Sequence, residues 1–353
     1  MQRRSLVIAS SACRSCTSHV TSLPYEIMTA SSNRSAAKDR AEQQRVPDFF
    51  IIGHPKCGTT ALYEMLRRHP QICMPVKEPW FFAPDRMPLI SKGYPATLAD
   101  YTALFDSCAS KDLIGEASPV YLMSHTAADA IAKLRPDARI IAILREPASF
   151  LRSLHLQSVQ DHVETEKDLR AAVALEAARR QGDEIPRHTA RPQELLYSEH
   201  VRYVEQLRRY HSVFAPEQVL VLIYDEFRGD NEATVRRVLR FLDVDDTIPV
   251  ESIDANPSVR VRSPQLYESV RSVYLGRGSL YRAIKTAVKA ITPRRLRHDA
   301  LGILRRRAFY SEPRPVDEAL MRELRVRFKG EVAALSEYLG RDLLTLWGYD
   351  DVG

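Results

Sequence analysis

Cysteine is scarce in this chain: Cys13, Cys16, Cys57, Cys73 and Cys108 are the five among 353 residues. An odd and scattered set argues against a disulfide framework. Cys13 and Cys16 form a Cys-x-x-Cys pair, but it sits in a Ser-rich stretch with no second pair. Zinc asks for four ligands, so neither metal nor redox chemistry is expected there. No metal-ligand cluster occurs elsewhere, and the chemistry argued below needs none. Long apolar runs are missing too. Nothing approaches the roughly 20 residues of a membrane span. Arg3 and Arg4 precede Leu6-Val7-Ile8-Ala9 in the charge order of a signal peptide, but that apolar run is too short for one. These absences lead to an expected cytoplasmic location, with Met28 as an alternative start. Neither sign of charge dominates: 51 Lys and Arg face 45 Asp and Glu, for a net charge of +6. That excess suits an anionic ligand but is too diffuse for nucleic acid, and no DNA- or RNA-binding module is recognisable. No internal repeat is visible.

What is present is an ordinary globular composition, 44% hydrophobic and 27% charged, with enough apolar side chain for a large core. Residues 1–46 are rich in Ser, Ala and Arg without hydrophobic periodicity, and a disordered tail is expected there. The composition shifts at Pro47, so residues 47–353 are read as the folded domain. Short apolar runs predict strands at 49–52, 113–116, 139–144 and 219–223. Helical spacing predicts helices at 61–69, 126–134, 147–160, 167–180, 197–210 and 231–242, and one or two closing helices within 316–346. The Pro-rich and aromatic segment 71–100 and the basic segment 254–307 are read as loops. Strands alternating with helices give an α/β fold with a central parallel sheet flanked by helices.

The most informative segment is Phe50-Ile51-Ile52-Gly53-His54-Pro55-Lys56-Cys57-Gly58-Thr59-Thr60-Ala61-Leu62. A strand enters a glycine loop and the loop enters a helix, which aims backbone N–H groups and a helix N-terminus at an anion. Walker A places Lys directly after its second glycine; here Thr59 follows Gly58 and Lys56 lies two residues before it. A nucleoside triphosphatase is therefore disfavoured. Pro-Lys-x-Gly-Thr-Thr-x-Leu resembles the loop of the sulfotransferase superfamily that holds the 5′-phosphosulfate of PAPS. The resemblance implies a P-loop-like three-layer fold. It also implies that Lys56 contacts the sulfate and the bridging oxygen, while Cys57, Gly58, Thr59 and Thr60 hold the 5′-phosphate.

About ninety residues on, Ile141-Ala142-Ile143-Leu144-Arg145-Glu146-Pro147 is a strand ending in Arg, with Ser153 eight residues after Arg145. A strand-end Arg faces the ligand crevice of an open α/β sheet and suits bidentate phosphate recognition. The segment is similar to the family's Leu-Arg-Asp-Pro motif followed by Arg and Ser, which implies 3′-phosphate contacts for Arg145 and Ser153. The family's intervening Arg falls near Phe150, a departure.

Val76-Lys77-Glu78-Pro79-Trp80-Phe81-Phe82 resembles the Lys-Glu-x-x-Phe-Phe segment of heparan-sulfate-type and bacterial carbohydrate-type sulfotransferases. There the Glu is the proposed base, so Glu78 inherits that role. A carboxylate among aromatics is expected to be partly desolvated, or else simply paired with Lys56 or Lys77. Trp80 replaces a His common in relatives. Ser118 and Tyr121, in Glu116-Ala117-Ser118-Pro119-Val120-Tyr121, either line the site or pack, and a Lys that heparan-type relatives carry near Ala117 is absent. Arg262 is a candidate for closing over the cofactor, whereas Arg305-Arg306-Arg307 is more simply a solvated face.

The resemblance spans roughly residues 47–349. It implies in-line sulfuryl transfer from PAPS, with no metal, to a hydroxyl or amine of an acceptor, a carbohydrate or small metabolite. The alternatives are a P-loop-type kinase and a non-catalytic nucleotide-binding protein.

Overall fold

Strand β1 (Phe49–Gly53) has all five residues buried, as expected of an apolar run covered on both faces of a parallel sheet. The computed structural model describes residues 45–87, 93–108, 112–161, 163–187, 189, 191–249, 251, 260–261, 310–311 and 315–352. Residues 1–44, Arg262 and Arg305-Arg306-Arg307 lie outside them, so the expected tail and the expected cofactor-closing arginine do too. Strand β1 is central in a five-stranded sheet with β2 (Ile72–Cys73), β3 (Leu113–Ala117), β4 (Arg139–Leu144) and β5 (Val219–Ile223), in the order β2-β3-β1-β4-β5. Every pairing in it is parallel. The register sets Phe49 opposite both Gly115 and Arg139, which brings the C-terminal ends of β1 and β4 out side by side. A short antiparallel pair joins Arg260–Val261 to Tyr310–Ser311.

Parallel neighbours require crossovers, and helices supply them. They are α1 (Thr59–Leu66), α2 (Leu98–Ala103), α3 (Ala127–Leu134), α4 (Pro147–Gln160), α5 (Leu169–Ala174), α6 (Glu176–Arg180), α7 (Tyr197–His200), α8 (Tyr203–His211), α9 (Tyr224–Gly229) and α10 (Asn231–Phe241). Helices α11 (Glu318–Leu339) and α12 (Leu343–Trp347) close the chain. Asp317 caps α11, whose buried Met321, Leu324, Phe328, Val332 and Leu335 recur every three or four residues and pack it against α4 and α8. The chain beyond Gln44 forms one compact unit.

Two expected helices need correction. Residues 167–180 form two short helices rather than one, and 197–210 is interrupted at Val201 and Arg202. The segment 71–100 is mostly loop among its described residues, as expected, with β2 as a short edge strand. Finally, Cys73 and Cys108 form a disulfide, with Cα atoms 5.7 Å apart. One bridge is not a framework, but it ties the edge strand to the turn that follows α2. Among the described residues no helix is long and apolar enough to cross a membrane, and no group of three or more His, Cys, Asp or Glu side chains is placed to hold a metal.

Candidate active site

The loop after β1 owes its shape to two glycines. Gly53 has φ 145°, and a Cβ there would stand 2.8 Å from the Ile143 carbonyl oxygen of β4. Gly58 has φ 86°, and a Cβ would press on the Tyr224 and Phe227 rings at 3.1–3.2 Å. Gly58 is also the N-cap of α1, with no side chain capping the helix and no acidic residue in its first turn. The first N–H groups of α1 are therefore left for an external anion, as the helix dipole favours. Between the glycines, Lys56 takes a left-handed φ of 70°. Burial, and then the charge of Arg145, pull the Lys56 ammonium below the usual lysine pKa, against the pull of Asp161.

Arg145 stands at the end of β4. Its Nη1 donates to the Lys56 carbonyl at 2.9 Å, its Nε donates to Ser149 Oγ at 3.1 Å, and its guanidinium lies 4.7 Å from the centre of the Tyr224 ring. Its own carbonyl accepts from the Tyr203 hydroxyl at 2.8 Å. Glu146, where the family motif has Asp, is the N-cap of α4: its two oxygens accept from Ala148 N–H at 3.0 Å and Ser149 N–H at 2.6 Å. The Tyr349 hydroxyl donates to the same carboxylate at 2.7 Å, joining the end of the chain to this helix start. Phe150 departs from the family's Arg because it belongs to the core, fully buried and 4.9 Å from the His54 ring.

The third segment hangs from β3. Glu78 N–H donates to the Ala117 carbonyl at 2.9 Å, and Trp80 N–H to Ser118 Oγ at 3.3 Å. Glu78 and Trp80 both have left-handed backbones, with φ of 60° and 57°. With Lys56 they make three of the five described non-glycine residues of positive φ, so backbone strain is concentrated here. Glu78 is partly buried, its side chain 40% exposed, and it pairs with Lys77 rather than Lys56. The buried carboxylate nearby is Glu116, which accepts from the Tyr101 and Tyr121 hydroxyls and is pushed up to about 7 by burial. It does not line the cleft. Asp85 is engaged by Ser124 Oγ, His125 N–H and Thr126 Oγ1.

These pieces surround one cleft of about 750 Å³ at the C-terminal edge of the sheet, lined by Lys56, Gly58, Thr59, Thr60, Glu78, Arg145 and Ser153. Cys57 is not among the lining residues; its side chain is fully buried and burial pushes the thiol up to about 12. Ser118 and Tyr121 support the third segment from behind, the latter through its hydroxyl, which donates to Glu116 at 3.2 Å and accepts from Phe82 N–H at 3.3 Å. Sequence reasoning missed Arg86, Asp161, Arg191, Glu194, His200, Tyr224 and Arg228, which also line the cleft. Tyr224 had a signal, since it directly follows an apolar strand as Arg145 does. The others come from loops and helix ends without a comparable mark.

A family model described as "Sulfotransferase domain" matches residues 46–260, more than half of the chain. The chain belongs to the sulfotransferase family. The mouse protein named "Carbohydrate sulfotransferase 15" is 27% identical over 260 residues, covering 56% of this chain and 44% of the relative. The human protein named "Heparan sulfate glucosamine 3-O-sulfotransferase 6" is 30% identical over 123 residues, covering 35% of this chain and 32% of the relative. This sulfotransferase chain thus spans less than half the length of these relatives. A solved sulfotransferase from Alicyclobacillus acidocaldarius is 25% identical with a TM-score of 0.60, over 86% of this chain and 99% of that one. The parallel sheet and its flanking helices are the sulfotransferase fold.

Proposed function

We propose that the chain transfers a sulfuryl group from PAPS to a hydroxyl or amine of an acceptor. The supporting observation is that Lys56 and the open N-terminus of α1 meet Arg145 and Ser153 in one cleft, although about ninety residues separate the two motifs. The residues fit a donor with two anionic ends. The Gly58, Thr59 and Thr60 N–H groups and hydroxyls suit a 5′-phosphate, and Arg145 with Ser153 suits a 3′-phosphate. Lys56 would stabilise the bridging oxygen as the S–O bond breaks, and Glu78 would take the acceptor's proton. Catalysis of this kind rests on positioning and fixed charge. The names of the relatives support a carbohydrate acceptor.

The expected cytoplasmic location is a proposal against which the Cys73–Cys108 bridge weighs, because such bridges are rare in reducing compartments.

Calorimetry with 3′-phosphoadenosine 5′-phosphate (PAP) and with ATP, followed by turnover of labelled PAPS over an acceptor panel, tests the function. PAP should bind and ATP should not. Lys56→Ala should cost on the order of 100-fold or more in turnover, as losing one preorganised donor does. ATP binding in preference to PAP, or wild-type turnover by the variant, would overturn the assignment.

A further inference from the structure

Besides Glu78, the cleft carries two carboxylates that the donor contacts leave unused, Asp161 and Glu194. Glu194 sits in the 3-10 turn Pro192–Leu195 and lines the cleft with Trp80, Arg86 and Arg191. Its Oε1 pairs with Arg191 Nη1 at 2.9 Å, and the two side chains are only 20% and 21% exposed. Arg191 is held in turn by Trp80, its guanidinium 5.5 Å from the centre of the indole. The main chain is pinned as well: Glu194 N–H donates to the Arg191 carbonyl at 3.0 Å, and His200 Nε2–H donates to the Glu194 carbonyl at 3.1 Å. Carboxylate, guanidinium and indole therefore form a preorganised wall.

A local ion pair kept for stability would explain this wall without a ligand, but the electrostatics run the other way. Burial pushes the Glu194 carboxyl above the usual carboxylate range, Asp161 adds to the rise, and Arg191 and Arg86 oppose it without cancelling it. A carboxylate whose pKa is raised on folding costs stability when ionised. Glu194 also lines the cleft, and a buried carboxylate in a cleft is a candidate functional group. An ionised carboxylate has about four lone-pair sites, and the Arg191 contact on Oε1 cannot fill them all. The carboxylate lines a cleft that also holds the basic side chains Lys56 and Arg145.

We propose that Glu194 is an acceptor-binding residue whose second oxygen accepts a hydrogen bond from a hydroxyl or ammonium group of the acceptor. The inference rests on the sulfuryl-transfer reading and refines it. At this wall the acceptor presents a hydrogen-bond donor to the carboxylate, while Arg191 is already held between Glu194 and Trp80.

The test uses the full chain, labelled PAPS and a set of gluco-, galacto- and mannopyranosides, each offered with hydroxyl, ammonium or carboxylate substituents. Glu194→Gln should raise KM about tenfold or more for hydroxyl and ammonium probes, the worth of a charge-assisted hydrogen bond. It should narrow the preference over carboxylate probes and leave PAP affinity unchanged by calorimetry. Its melting temperature should equal or exceed that of the wild type. An unchanged acceptor KM, a parallel loss of PAP affinity, or a lowered melting temperature would overturn the proposal. So would a wild type that binds PAP yet sulfates none of the hydroxyl or ammonium probes. Failure of the wild type to bind PAP would instead overturn the sulfuryl-transfer reading itself.

Discussion

Arg145 is hydrogen-bonded to the main chain of Lys56: Nη1 of the arginine donates to the lysine carbonyl at 2.9 Å. The two motifs are thereby one mechanical unit, and the arginine helps hold a lysine whose φ of 70° is unfavourable. The resemblance alone assigns Arg145 to the 3′-phosphate. The structure adds a second duty, supporting the loop that presents Lys56.

This makes Arg145→Ala more damaging than the loss of a phosphate contact. PAP binding should weaken by roughly 1.5–3 kcal/mol, the worth of a charge-assisted bond. Turnover at saturating PAPS should fall as well, because Lys56 loses its support. Calorimetry with PAP and with an analogue lacking the 3′-phosphate separates the effects. Equal weakening for both ligands would mean that the loop contact is the whole role.

Glu78→Gln should keep PAP affinity and lower turnover by roughly 10²–10⁴, the usual contribution of general-base catalysis. The acidic limb of the pH–rate profile should vanish with the carboxylate. If Glu78 served only as the partner of Lys77, the limb would persist. Asp85 and Glu116 are poor substitutes as base, the first engaged in three hydrogen bonds and the second sealed behind two tyrosines.

Glu116 makes stability depend on pH. Its folded pKa of about 7 lies above its ordinary value of 4.5, so between these values the folded state holds a proton that the unfolded state has released. The stabilisation is complete below the lower value and is lost as pH rises through the upper one. The change is on the order of 3 kcal/mol. Thermal melts across this range should show the fall, and Glu116→Gln should flatten it. A wild-type profile that is level over the range would count against the raised carboxyl.

The Cys73–Cys108 bridge closes a loop with a sequence separation of 35. Loop-closure entropy for such a length gives roughly 2–4 kcal/mol of stabilisation. Chemical unfolding with and without reductant should show a loss of that size, and so should Cys108→Ser. Thiol trapping in cells reports whether the bridge forms where the protein resides; free thiols at both positions would restore the case for the cytoplasm.

Most of the sheet was legible because its strands are apolar runs bounded by breakers. The 139–144 and 219–223 strands coincide with the observed ones. Strand β2 was not legible, since two residues carry no periodicity. The donor side of the cleft was legible because glycine, lysine and threonine at fixed spacing have few other uses. The acceptor side was not. Arg86, Arg191, Glu194 and His200 are ordinary residues whose meaning lies in their meeting across 114 positions of sequence, from 86 to 200. The Cys73–Cys108 bridge escaped for the same reason.

The left-handed backbones of Lys56 and Glu78 have a consequence for anyone ranking substitutions by stability alone. Glycine adopts those angles without penalty, and asparagine nearly so. A screen for higher melting temperature would therefore converge on two positions proposed to act in sulfuryl transfer, whereas Trp80 is exempt because its indole is buried in the core. Its most thermostable winners would be the ones emptied of chemistry. Sequences drifting without selection for turnover should accept glycine at 56 and 78, so these two positions offer a simple mark for telling working copies of the fold from lapsed ones.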